Sequence, residues 1–196
     1  MHKKQNLDSL NAFCIDKARY MEHSNIPNFG LSGKNDFTLE TIILFQNNSV
    51  KSDIYAQAGV FSFGIDQGQI YFEAPGFCSL KTSINQLHLN EQSIYSISLR
   101  YNKTDKKVSL FFQGYLIDEI ETKPDGTEAA GNYQMGCQAE GGSIGGIVSI
   151  HTFSESLDEK QILKDSMRGT QEVPDSCVSW FDFQETNIAD KSKNGL

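Results

Sequence analysis

Long apolar runs are missing from this sequence of 196 residues. No stretch approaches the roughly 20 consecutive apolar residues that a membrane-spanning helix needs. The first segment, MHKKQNLDSLNAF, carries basic residues, but no hydrophobic segment follows them, so no signal peptide is visible. We therefore expect no insertion into a membrane.

Positive charge is also scarce. The chain has 17 Lys and Arg residues against 25 Asp and Glu residues, which gives a net charge of −8 and a pI near 5.0. Phosphate backbones and anionic membranes attract clustered positive charge, and the basic residues of this chain form no long run. We therefore expect no nucleic-acid partner.

Paired cysteines of the C-x-x-C type are absent, which argues against a zinc site or a dithiol redox site. The four cysteines, Cys14, Cys78, Cys137 and Cys177, are widely spaced. They fit two disulfides in an exported protein and four thiols in a protein that is not exported. Both alternatives stay open, because the sequons at Asn47 and Asn102 matter only in a glycosylating host.

Strand-like segments, by contrast, are abundant. Segments rich in β-branched and aromatic residues predict strands at 37–45, 59–65, 68–74, 93–102, 107–121, 132–137 and 177–183. Short turn signals such as Asp66-Gln67-Gly68 separate several of them. With 38% hydrophobic residues, the chain is long enough for one buried core, and we expect a single domain over residues 1–196.

The clearest alternation lies in 93–102. It predicts inward side chains at Tyr95, Ile97, Leu99 and Tyr101, and outward side chains at Ser96, Ser98, Arg100 and Asn102. Many strands joined by hairpin turns predict an all-β fold, an antiparallel two-sheet sandwich.

The segment GGIVSIHTFSESLDEKQI, residues 145–162, passes from a strand pattern directly into a helix start. Its first half alternates, with Val148, Ile150 and Thr152 on one face and Ile147, Ser149, His151 and Phe153 on the other. His151 is then a half-exposed strand residue. Ser156 and Glu159 form a Ser-x-x-Glu capping box, and apolar residues recur at helical spacing as far as Met167. We expect one short helix near residues 156–168.

The order of these segments resembles that of laminin-G-like and pentraxin-like domains. The resemblance is carried by YMEHSNIPNFGLSGKNDFTLETIILF at the start, the hairpin SISLRYNKTDKKVSLFFQGYLIDEIE, the strand-to-helix segment 145–162, and CVSWFDFQ with Trp180. It covers nearly the whole chain and implies a jelly-roll sandwich of the concanavalin A-like superfamily. In that family the helix caps one end before the chain returns as a closing strand beside the N-terminal one.

Three patterns suggest catalysis, and each has a simpler explanation. Gly141-Gly142-Ser143-Ile144-Gly145 matches G-x-S-x-G, but a strand follows it where a nucleophile elbow needs a helix. Asp118, Glu119 and Glu121 do not reproduce the Glu-x-Asp-x-Glu alternation of the related glucanases, and we interpret them as a solvated strand end. His23, His88 and His151 belong to no metal-binding pattern. We predict that the chain is not an enzyme.

Calcium is a candidate ligand at two places. The segment DKSKNG places oxygen-bearing side chains at Asp190, Ser192 and Asn194 before a glycine, as in a calcium loop, although an ordinary Asn-Gly turn explains the same residues. The pentraxin resemblance implies a second position at Gln138 and Glu140, with fewer acids than the family cluster.

Carbohydrate is the ligand class that the resemblance implies, together with an extracellular or cell-surface location. Sugar recognition uses flat aromatic faces and amide groups, and the candidates near expected loop ends are Tyr20, Asn47, Asn48, Tyr55, Gln113 and Tyr115. The alternative is a protein-interaction domain or a structural accessory domain of a larger polypeptide.

Overall fold

The structure, a computed structural model, describes residues 13–14, 21–23, 31–46, 51–83, 90, 92–123, 132–136, 145–168, 173–183 and 190–192. The elements within these ranges are β1 (Phe13–Cys14), β2 (Met21–His23), β3 (Phe37–Phe45), β4 (Lys51–Gln57), β5 (Phe61–Asp66), β6 (Gln69–Ala74), β7 (Cys78–Ser83), β8 (Ser93–Asn102), β9 (Lys107–Phe112), β10 (Tyr115–Glu121), β11 (Tyr133–Met135), β12 (Gly145–Phe153), α1 (Glu159–Arg168) and β13 (Cys177–Asp182).

The strands form two antiparallel sheets. One has the order β1-β12-β3-β8-β9-β10, with β13 also paired to β12, and the other has the order β2-β11-β4-β5-β6-β7. The predicted all-β, two-sheet antiparallel sandwich with one short helix is confirmed. The closing strand β13 and the N-terminal strand β1 both pair with β12, at different positions along it.

The main core lies between the two sheets and is rich in aromatic rings. Phe77 packs edge-on against Tyr101 with ring centroids 4.8 Å apart, and Phe37 contacts Phe72 at 6.1 Å. The inward alternation expected for β8 is correct, because Ile97 and Leu99 are buried in this core. The opposite face of β8, which carries Ser98, does not face solvent, because Ser98 is buried as well.

The segment 107–121 is a hairpin and not one continuous strand. Gln113 and Gly114, with φ of 53° and 80°, form its two-residue turn, and β9 pairs with β10 on either side of it. Positive φ at both central positions is the geometry that matches the twist of an antiparallel hairpin.

The strand β12 is buried along its whole length, which corrects two sequence-based expectations. His151 is only 6% exposed and not half-exposed. The pairing with β3 shifts register between Ile147 and Ser149, so the alternation is interrupted there and Ile147 joins Ile150 in the main core.

A second apolar cluster covers the other face of the large sheet and explains why β12 is buried on both sides. It consists of Phe111, Phe153, Leu157, Ile162, Cys177 and Trp180. Helix α1 supplies Ile162, and the segment before the helix supplies Leu157. The strand-to-helix segment therefore brings the helix back over the outer face of the large sheet, where it contacts β8.

The helix begins later than the capping box predicted. Asp158 is the capping residue, since its Oδ1 accepts the N–H of Gln161 at 2.8 Å. The Leu157 N–H instead donates to Thr38 Oγ1 at 2.9 Å, which holds this segment on the sheet and outside the helix. The assignment of Ser156 as the cap is therefore wrong.

Candidate functional site

One aromatic ring stands out on the surface. Tyr115, at the start of β10, is 63% exposed, whereas the other described aromatic side chains are buried or half-buried. Three further large apolar side chains are exposed within the described residues, Leu116 at 46%, Val173 at 36% and Met167, in the last turn of α1, at 65%. Met167 was expected on the apolar face of the helix, and its exposure corrects that interpretation. We call the region of Tyr115, Leu116 and Met167 the hairpin–helix surface; within it Tyr115 and Leu116 are successive residues of β10, so their side chains point to opposite faces of the sheet.

The turn of the β9–β10 hairpin fixes this surface, because it sits directly on α1. A Cβ atom at Gly114 would lie 2.7 Å from Leu163 Cα and 2.5 Å from Ser166 Oγ. Only a glycine permits so close a backbone approach. The contact places the two residues that follow Gly114 beside the helical turn that carries Met167.

The Gln113 side chain, a predicted sugar contact, is engaged within the protein. Its Oε1 accepts the N–H of Ser96 at 3.2 Å, and its Nε2 donates to the Ile94 carbonyl at 3.4 Å. Both bonds tie the hairpin turn to β8. Gln113 thus positions the surface on which Tyr115 lies.

Tyr55, also predicted at the ligand-binding rim, is completely buried in the main core. Its ring stacks on Tyr133 at 5.6 Å and meets Phe61 edge-on at the same distance. Burial raises the pKa of its phenol, although a hydrogen bond with Ser179 opposes that shift. A surface ligand does not reach this ring. Tyr20, Asn47 and Asn48 lie outside the described residues.

Of the predicted calcium ligands, the described ones make hydrogen bonds inside the protein. Asp190 is buried, and its Oδ1 accepts the N–H groups of Trp180 and Ser192, each at 2.8 Å. The Ser192 hydroxyl donates to the Val178 carbonyl at 3.1 Å. These bonds fasten residues 190–192 to β13. Gln138, Glu140 and Asn194 lie outside the described residues.

Within the described ranges, no group of three or more His, Cys, Asp or Glu side chains has the arrangement to hold a metal ion. That finding does not extend to the calcium position at Gln138 and Glu140.

The acidic strand end makes structural contacts. Thr82 Oγ1 donates to Asp118, which links the edges of the two sheets. Glu119 accepts from Lys107 Nζ at 2.6 Å and from Ser109 Oγ at 3.0 Å, and the hydrogen bond with Lys107 is the main cause that lowers its pKa. Ser143, the candidate nucleophile, lies outside the described residues.

Two of the four cysteines are described with their side chains, and both are free thiols. Burial raises the pKa of Cys78 and of Cys177 to about 12, so each is protonated at neutral pH. The side chains of Cys14 and Cys137 are outside the described part of the chain.

In the parts of the chain that the structure describes, no helix has the length and apolar character to cross a membrane.

Sequence comparisons give no relatives, since neither a known protein family nor a curated protein matches the chain. Comparison with solved structures does find proteins of similar fold. A presumed carbohydrate-binding protein from Bacteroides ovatus ATCC 8483 is similar with a TM-score of 0.69 and 13% identity, over 95% of this chain and 56% of that one.

Toxin binding domains are also similar in fold. The ligand-binding domain of botulinum neurotoxin serotype D, solved with N-acetylneuraminic acid, has a TM-score of 0.65 and 13% identity, over 80% of this chain and 42% of that one. The binding domain of botulinum neurotoxin DC, solved with rat synaptotagmin II, has a TM-score of 0.59 and 15% identity, over 77% and 40%. This chain therefore spans less than half of the toxin domains. At such identities the likeness shows the fold, a β-sandwich that occurs in binding domains.

Proposed function

We propose that this chain is a non-catalytic carbohydrate-binding module of the concanavalin A-like, laminin-G-like type, with its ligand on the hairpin–helix surface. The observation that carries the proposal is the exposed ring of Tyr115. An aromatic face offers a sugar a flat apolar platform, and the Tyr115 ring is the most exposed of the described aromatic side chains.

The support of the platform is rigid, because the turn that precedes Tyr115 is held both to β8 by Gln113 and to α1 at Gly114. A sugar ring stacked on Tyr115 would therefore meet a preformed surface, and little conformational entropy would be lost on binding.

The structural neighbours support carbohydrate as the class of ligand, but they do not indicate a particular sugar. One carries a presumed carbohydrate-binding role, and another was solved with a sialic acid. Because the chain matches only 42% of that toxin domain, the bound sugar is a property of the toxin domain and does not assign a specific sugar here.

A glycan array followed by calorimetric titration of the strongest glycan tests the proposal. We expect Tyr115→Ala to weaken binding about tenfold, which corresponds to about 1.4 kcal/mol. The matched control is Tyr95→Phe, which changes a half-buried aromatic residue of β8 and should leave binding unchanged. The proposal fails if no glycan binds, or if Tyr115→Ala binds as well as the wild type at unchanged melting temperature.

Protein interaction is the second candidate, and the apolar character of the same surface favours it. Leu116 and Met167 are exposed aliphatic side chains, and Leu116 lies on the face of β10 opposite to Tyr115. Exposed apolar patches commonly mark protein contacts. One structural neighbour was solved with a protein bound. A discrete protein captured by the wild type but not by Leu116→Ser or Met167→Ser, together with an empty glycan array, would favour this candidate.

Calcium remains a proposed cofactor at Gln138 and Glu140. An ion present at a hundredfold excess over its Kd would stabilise the native state by about 2.7 kcal/mol, which raises the melting temperature by several degrees. Glu140→Ala should abolish that rise. Calcium binding and an extracellular or cell-surface location both accompany the proposed family, and a melting temperature unaffected by calcium and by chelator would remove the ion from the proposal.

A further inference from the structure

A small polar cavity lies between the large sheet and helix α1, on the face opposite the main core. Its volume of about 10 Å³ is close to the smallest that can hold one water molecule. Three strands and the helix contribute to its lining, and its polar side chains are Glu40, Thr41, Ser96, Ser149, His151 and Asp165.

Two polar atoms in this lining have no hydrogen-bond partner within the described protein. They are Glu40 Oε1 and His151 Nε2, and both residues are only 6% exposed. Glu40 on β3 and His151 on β12 are directly paired across the sheet, so their side chains stand side by side on the same face. A buried polar atom without a partner costs about 1–3 kcal/mol, so two beside one cavity call for a common ligand.

The chemistry of the lining points to a neutral ligand. Burial, assisted by the charge of nearby Asp165, raises the pKa of Glu40 well above its ordinary value, which favours the uncharged form of its carboxyl group. Burial also lowers the pKa of His151, so its imidazole is neutral. A hard cation prefers charged oxygens, and both oxygens of Asp165 already accept the Gln161 amide at 2.8 Å. A ligand that can both donate and accept, and that fits the volume, is water.

We propose that this cavity is a binding site for one water molecule that bridges the Glu40 carboxyl group and the His151 imidazole beneath α1. The hydroxyl groups of Ser96 and Ser149 complete the two to four partners that an internal water uses. The water satisfies both atoms and fills the space between the sheet and the helix.

A high-resolution crystal structure of the full chain tests the site. We expect a density peak of water size about 2.7–3.2 Å from both Glu40 Oε1 and His151 Nε2. Glu40→Gln should retain the peak, because an amide still donates and accepts. Glu40→Met, which keeps the volume, should lose it. Ser52→Ala is the control, since it removes a buried hydroxyl without a partner on the other sheet.

Oxygen-17 relaxation dispersion in solution gives a second readout, which counts long-lived internal waters without a crystal. Glu40→Met should show one fewer such water than the wild type and than Ser52→Ala. A wild-type cavity without density overturns the proposal, as does a site filled by a neighbouring side chain. A peak with several oxygen contacts near 2.3 Å would identify a cation and overturn it too. If Glu40→Met does not fold, the wild-type and Glu40→Gln crystals decide.

Discussion

The imidazole of His151 stacks on the indole of Trp180, with ring centroids 3.7 Å apart and planes inclined by 16°. The two residues pair across β12 and β13, and Glu40 pairs with His151 on the other side. A titratable base and a titratable acid thus stand next to each other in a buried row. Their pKa values move in opposite directions, because burial disfavours the charged form of each.

The first prediction concerns His151, whose pKa falls from 6.5 to about 3 through burial and, to a lesser extent, the charge of Lys191. The unfolded chain binds a proton below pH 6.5 that the native protein does not bind, so His151 makes the native state less stable as the pH falls from 6.5 towards 3. Glu40 has the opposite effect above its ordinary pKa of 4.5, because the native protein keeps a proton that the unfolded chain loses.

Between pH 4.5 and 6.5 the two contributions therefore oppose each other. We expect His151→Gln to become relatively more stable than the wild type as the pH falls through this window, by up to about 1.4 kcal/mol per pH unit. Glu40→Gln should become relatively less stable by a similar amount. Urea denaturation at several pH values measures both slopes. Parallel curves for the wild type and the two variants would show that neither group titrates differently on unfolding.

Gly114 is predicted to be irreplaceable at the hairpin turn. Gly114→Ala meets two costs, a φ of 80° and contact with Leu163 and Ser166 of α1. Gly59→Ala is the matched control, because φ there is 75° but open space surrounds the position. We expect Gly114→Ala to lower the free energy of unfolding by about 1–3 kcal/mol more than Gly59→Ala does. Equal losses would mean that the turn does not rest on the helix.

The start of α1 gives a third prediction. Asp158→Ala removes the oxygen that accepts the Gln161 N–H and should lower the free energy of unfolding by about 1 kcal/mol. Ser156→Ala should change it by less than about 0.5 kcal/mol, since Ser156 does not cap the helix. Chemical denaturation of the two variants is sufficient, and the reverse order of effects would restore the capping box at Ser156.

Asp190 is predicted to stabilise the protein through hydrogen bonds and independently of calcium. Asp190→Ala leaves the buried Trp180 N–H without its acceptor and should cost about 1.5–3 kcal/mol. Asp190→Asn keeps one acceptor oxygen and should cost less. The measurement is the melting temperature in chelator and in millimolar calcium. A loss seen only in calcium would assign Asp190 to an ion site instead.

The sandwich could be predicted because its strands are marked by residue type, but single-sequence patterns miss strands that face water or change register. The strand β4 is such a case. It opens with Lys51 and Asp53, and a register shift between Asp53 and Tyr55 breaks the alternation, so that Ile54 and Tyr55 are both buried. Tyr55 was therefore assigned to a loop end, although it belongs to the core.

The helix start and the buried acid–base pair depend on contacts that are distant in the sequence. Ser156 and Asp158 are both acceptable caps, and the choice is made by the bond from Leu157 to Thr38, which lies 119 residues earlier. Glu40 was visible as a single charged residue within the apolar segment FTLETIILF. Its burial follows from α1 covering that face of the sheet, which alternation along β3 does not reveal. The exposure of Leu116 and Met167 was not predicted either, because it too depends on which elements cover which faces and not on alternation along one segment.

The central claim, that a glycan binds at the hairpin–helix surface, is tested most directly by nuclear magnetic resonance titration of the wild-type chain with the strongest glycan from the array. We predict that the chemical shift changes concentrate at residues 113–116 and at Ser166 and Met167, and that Tyr115→Ala abolishes them. Changes confined to the six-stranded sheet or to other loops, with Tyr115→Ala titrating like the wild type, would contradict the claim.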